Sequence, residues 1–88
     1  MNTDKHIKRT QVKATSKVDR FRGRFVATAT VVIGSQEDVI KSQGDTESWA
    51  TFNMSSRLLD YRAALLSVGV YLSDMEELTE IIKEGQGR

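Results

Sequence analysis

The chain has 88 residues, 39% of them hydrophobic and 28% charged, which suits one small globular domain with a modest core. It has no cysteine, which excludes disulfides, thiolate metal ligands and a cysteine nucleophile, and its single histidine, His6, gives no basis for a histidine-centred metal or triad site. The formal net charge of +1 conceals an asymmetry: residues 1–24 carry +6 and residues 25–88 carry −5, which points to an anionic partner for the basic part or to contact between the two halves.

Residues 1–10 are polar and read as a flexible basic arm, residues 11–85 as a single α+β domain, and residues 86–88 as a tail. No apolar run approaches the roughly 20 residues of a membrane helix. No apolar stretch follows the N-terminal lysines, which argues against a secretory signal. With no cysteine either, the expected location is cytoplasmic.

Residues 11–18 alternate, with Val12, Ala14, Ser16 and Val18 on one side and Gln11, Lys13, Thr15 and Lys17 on the other. This predicts a strand with a basic outer face. A turn near Asp19 would lead into one long strand, Arg20 to Ile33. On that strand Phe21, Phe25, Ala27, Ala29, Val31 and Ile33 share an apolar face. Arg20, Arg22, Arg24, Val26, Thr28, Thr30 and Val32 share the other, three arginines in a row. Gly23 within it suggests a bulge or a close backbone approach. A turn over Gly34 to Asp38 precedes a short returning strand, Val39 to Ser42, closed by Gly44-Asp45.

Residues 48–54 fit two readings. As a strand, Ala50, Phe52 and Met54 face one way; as a helix, Trp49, Phe52, Ser56, Leu59, Ala63 and Leu66 form one stripe. The balance favours a helix that begins between 46 and 56. The segment Arg57 to Leu66 is strongly helical and stops at Gly69. Both Leu58/Leu65 and Leu59/Leu66 are apolar, so one half of the stripe can cover the sheet while the other meets a second helix or subunit. Ser73-Asp74-Met75-Glu76 reads as a capping box that opens a second helix, Asp74 to Glu84. Met75, Leu78, Ile81 and Ile82 form its buried stripe, and Gly85 ends it. The expected fold is α+β: an N-terminal antiparallel sheet of three or four strands, with two C-terminal helices packed on one face.

No catalytic constellation stands out. Gly23, Gly34 and Gly44 are spaced as turns rather than as a phosphate loop. Glu76, Glu80 and Glu84 lie four apart, the pattern of a solvated acidic face, and no loop offers the staggered oxygens of a calcium site. Neither an enzyme nor a cofactor nor a metal is expected. The reading that uses the most sequence signal is non-catalytic binding of DNA or RNA through a basic hairpin face, Lys13, Lys17, Arg20, Arg22 and Arg24. Thr28 and Thr30 extend that face with hydroxyls. Trp49 and Tyr61 are candidate stacking surfaces, with Trp49 read more readily as core. A homodimer also fits. The alternative is a small phage- or plasmid-type inhibitor or adaptor that meets a protein partner through its sheet edge or acidic helix, with Leu58, Leu65, Glu76, Glu77 and Glu80 as interface residues.

The segment Ala50-Thr51-Phe52-Asn53-Met54-Ser55 alternates before a helix ending at Gly69, and a capped turn then leads to the second helix. In this order of elements residues 50–84 resemble the ribbon-helix-helix DNA-binding proteins. The resemblance implies that the short strand pairs with its twin across a dimer and that Thr51, Asn53 and Ser55 read the major groove. It covers about 35 of the 88 residues and leaves the basic hairpin outside. The chain departs from the family in that its second helix is acidic at the end which there approaches phosphate.

Overall fold

The structure, a computed structural model, describes residues 10–86. Nearly all of the expected basic arm therefore lies outside the described residues. Three strands, β1 (Val12–Phe21), β2 (Arg24–Ile33) and β3 (Gln36–Gly44), form one antiparallel sheet in the order β1-β2-β3. Two helices follow, α1 (Glu47–Ser67) and α2 (Glu76–Gln86), with a short 3-10 turn at Leu72–Asp74 between them. The α+β architecture with both helices at the C-terminal end matches the sequence expectation.

Both hairpins close with two-residue turns. Arg22 and Gly23 have φ of 53° and 80°, so both central residues are left-handed, the type I′ geometry that matches the right-handed twist of paired strands. The long strand expected over Arg20 to Ile33 is thus two strands, with the turn at Arg22-Gly23, where a bulge or a close backbone approach was expected, rather than near Asp19. The change of face is the important consequence. Along one strand Phe21 and Phe25 would point the same way. Across the hairpin Phe21 pairs with Arg24 and Arg20 pairs with Phe25, and paired residues share a face. Phe21 therefore leaves the core side, where the alternation put it, and is 62% exposed.

One face of the sheet carries the core. Val12 and Ala14 of β1 and Ala27, Ala29 and Val31 of β2 are buried there, the last two opposite Ile40 and Asp38 of β3. The alanines leave room for the larger Met54 and Leu58 of α1 and Leu78 and Ile82 of α2, with Met75 filling the approach to α2. Helix α1 lies over β2 and β3, and α2 lies beside it over β1.

The start of α1 settles the ambiguous segment. Thr46 caps it, its hydroxyl accepting the Trp49 N–H at 3.1 Å, and Ala50, Met54 and Leu58 bury at helical spacing. Residues 50–55, which the ribbon-helix-helix resemblance would make a strand, are helical; a good cap and a buried i, i+4, i+8 row override the strand preference of Trp49, Thr51 and Phe52. The helix ends as expected at Gly69, where Val70 N–H returns to Leu65 O and Gly69 N–H to Leu66 O.

Two expectations about α2 need correction. It begins at Glu76 rather than Asp74: the buried Met75, with a non-helical φ of −120°, separates it from the 3-10 turn that holds Ser73 and Asp74. Gly85 does not stop it: the helix runs through Gln86, past the expected end of the domain at 85. Gly85 is where α2 crosses α1. A Cβ there would sit 2.6 Å from the Ser55 Cβ and 2.9 Å from the Thr51 carbonyl oxygen, so only glycine fits this crossing.

Candidate nucleic-acid interface

Among the described residues nothing covers the sheet face opposite the helices. It is built from Lys13, Thr15, Lys17, Asp19 and Phe21 of β1, Arg24, Val26, Thr28, Thr30 and Val32 of β2, and Glu37, Val39, Lys41 and Gln43 of β3. Along its centre Val26, Thr28, Thr30 and Val32 are half-buried although no helix covers them, as residues of a central strand flanked on both sides. Phe21 at the hairpin end and Val39 on β3 are well exposed. The face is therefore a shallow apolar and hydroxyl strip bordered by Lys13 and Lys17 on β1 and Lys41 on β3, with Arg24 at the hairpin end of the central strand, against the acids Asp19 and Glu37. Lys41 has no counterpart in the expected basic set; its parity on β3, two residues after Val39, was the available signal.

The three arginines do not form one row. Arg24 is on the open face, Arg22 sits in the turn, and Arg20 is on the helix side, because the turn reverses the parity. Each has a local partner. The Arg20 guanidinium lies 5.4 Å from the Phe25 ring centre and that of Arg22 lies 5.2 Å from the Phe21 ring centre. Arg24 is 3.6 Å from the Asp45 carboxylate, and Lys17 is 3.5 Å from Asp19. All four members of these two ion pairs are more than half exposed, where such pairs contribute little and give way readily to a competing anion. Among the described residues, Arg20, Arg22 and Arg24 form no ion pair with the acidic α2; the arginine that reaches it is Arg62, which donates to Thr79 Oγ1 at 3.0 Å.

The remaining candidates are scattered. Leu58 is fully buried, which removes it from any surface, and Leu65 is half-buried against the core; Leu59 and Leu66, one position on, are the exposed pair. Glu76 and Glu80 are exposed on α2. Glu77 reaches the edge of the sheet, where its Oε1 accepts the Ala14 N–H at 2.9 Å. Trp49 is 59% exposed rather than core, but it is on α1, in the helix layer on the other side of the sheet, in edge-on contact with Phe52 at 5.7 Å. Tyr61 is half-buried and donates to Asp38 Oδ2 at 2.6 Å. Burial, then this hydrogen bond and the charge of Asp38, push its pKa up to about 12. Thr51 and Asn53 bond to backbone carbonyls of Glu47 and Gln43, and the buried Ser55 hydroxyl donates to Phe52 O and accepts from Gln86. These three side chains are occupied within the fold.

No group of three or more acidic, histidine or cysteine side chains that could hold a metal occurs among the described residues. Among them, too, no helix is long and apolar enough to cross a membrane. Comparison with family models, with curated proteins and with solved structures gave no match.

Proposed function

We propose that this protein binds nucleic acid without catalysis, through the open sheet face and the hairpin tip, with Lys13, Lys17, Arg24 and Lys41 on phosphates and Arg22 at the end of the track. The observation that carries the reading is an uncovered three-stranded face with an apolar, hydroxyl-bearing centre, a cationic border and an exposed ring, Phe21, at one end. Lysine and arginine supply the sequence-independent attraction to phosphate, and an exposed ring on a sheet offers a stacking surface for an unpaired base. Single strands fit this face better than duplex for that reason. Arg20, on the far side of the hairpin, has a lesser part than Lys17 or Arg24.

The test is fluorescence anisotropy with labelled single- and double-stranded DNA and RNA of mixed sequence, titrated at several salt concentrations. Binding should weaken steeply with salt, and each of Lys13→Ala, Lys17→Ala and Lys41→Ala should reduce the log–log salt slope by about one. Arg20→Ala should leave the slope nearly unchanged. No binding of any of these nucleic acids at low salt would refute the reading.

A further inference from the structure

Seven of the nine large apolar side chains that stay exposed among the described residues belong to α1 and the loop that follows it. On the helix Trp49, Phe52, Leu59 and Leu66 form, with Ser56 and Ala63 between them, a regular series separated alternately by three and four residues. This is the spacing of a coiled-coil seam. It runs almost the full length of a 21-residue helix and points away from the sheet, since Ala50, Met54 and Leu58 bury on the opposite side. The core needs the second stripe of α1 and leaves this one uncovered except at the half-buried Ser56, whose hydroxyl accepts from Gln86 Nε2 of α2 at 3.1 Å.

We propose that the seam is the docking surface for a second copy of this chain, with the two α1 helices antiparallel. Reversal makes the series self-complementary. With Trp49 opposite the second copy's Leu66, Phe52 falls opposite Ala63 and Ser56 opposite Leu59. The four inner positions then each pair a large side chain with a small one, as interdigitated packing requires. A parallel pair would instead set Phe52 against Phe52 and one Ser56 hydroxyl against the other.

Charge agrees with this arrangement. Glu47, Arg57, Asp60 and Arg62 leave α1 neutral, so two copies do not repel, and reversal brings Asp60 towards the second copy's Asn53 instead of its Asp60. Antiparallel helices also oppose their dipoles favourably. At each end of the seam Trp49 and Phe52 form one wall of a cleft of about 410 Å³, closed on the other side by Gly85 and Gln86 of α2. Leu66 and the 75% exposed Val68 of the second copy would enter it. With rings worth roughly 150–250 Å² each when fully buried, exposures of 59% and 40% leave on the order of 200 Å² of aromatic surface per copy. Leu59, Leu66 and Val68 bring the two copies together to about the 1,000 Å² at which specific interfaces begin. The open sheet faces remain outside this contact, so self-association stands or falls independently of nucleic-acid binding.

The test is sedimentation equilibrium of the full 9.9 kDa chain without nucleic acid, followed by directed cross-linking. The wild-type chain should sediment as a dimer. Leu59→Glu and Ala63→Glu, both at exposed positions, should each weaken the dimer at least tenfold while the far-ultraviolet circular dichroism stays native. Because the chain has no cysteine, Trp49→Cys and Leu66→Cys can be introduced singly. Oxidation should join the two variants when mixed and join neither to itself. Either of two results would overturn the proposal: a wild-type monomer into the millimolar range, which would leave the seam to a different protein, or self-cross-linking of Trp49→Cys alone.

Discussion

Two side-chain contacts hold the borders of the sheet. On β1 the Ala14 N–H points away from β2 and meets the Glu77 carboxylate, which joins the edge strand to α2. A hydrogen bond to a charged acceptor contributes about 1.5–3 kcal/mol. Glu77→Ala should therefore cost about 2 kcal/mol in urea unfolding, and Glu77→Gln, which keeps an acceptor, distinctly less; equal losses would mean that the contact is not what matters. On β3, Tyr61 holds Asp38 at 2.6 Å. The neutral phenol is the form the fold favours. Its pKa is raised from 10.0 to about 12, so its contribution is complete below pH 10 and is lost as pH rises from 10 towards 12. Thermal unfolding across that window should show a steeper loss of stability in the wild type than in Tyr61→Phe, while at neutral pH the substitution costs about 1 kcal/mol. Parallel curves would show that Tyr61 does not carry the effect.

At the level of elements, the Arg22-Gly23 turn and the α1–α2 crossing decide what the molecule presents. A type I′ turn prefers asparagine at its first position, so Arg22→Asn should raise the unfolding midpoint, a gain of a few tenths to about 1 kcal/mol, despite loss of the contact to Phe21. Gly85→Ala should do the reverse. In an exposed helix the change is worth about 1 kcal/mol of stability, but here the new methyl meets Ser55 and Thr51, and a net loss of about 1–3 kcal/mol is expected by chemical denaturation. These two glycines also mark what was legible in the sequence. Strand alternation on β1, the Gly69 end of α1 and the core set on α2 could all be read from local pattern, because cap chemistry and periodicity are local; the start of α1 stayed open between 46 and 56 because Trp49, Thr51 and Phe52 also suit a strand. Gly85 looked like a helix stop because its neighbour across the crossing is 30 residues away in sequence. The turn at Gly23 was hidden by Phe21, whose parity continues that of Phe25 as though the strand were unbroken. Of the expected basic set, Lys13, Lys17 and Arg24 do share a face; Arg20 and Arg22 were misassigned by that one missed turn.

For the molecule as a whole, the structure has two layers and two uncovered surfaces of different chemistry. The helix layer ends in an apolar seam, the sheet layer in a cationic face. Such a division lets self-association and ligand binding occupy opposite sides of a chain of 88 residues. It also recasts the charge asymmetry of the sequence: the basic hairpin is not neutralised by α2, whose Glu76 and Glu80 stay exposed while Glu77 is taken up by the β1 backbone. The central claim is that the open sheet face is the binding surface, and methyl-resolved NMR during titration with single-stranded nucleic acid tests it most directly. The two sides of β2 and β3 carry separate reporters. If the claim holds, the methyl resonances of Val26, Val32 and Val39 shift on binding while those of Ala27, Ala29 and Val31, on the helix side, stay in place. Shifts confined to Leu59, Leu66 and Val68, or no shifts at saturating ligand, would contradict it.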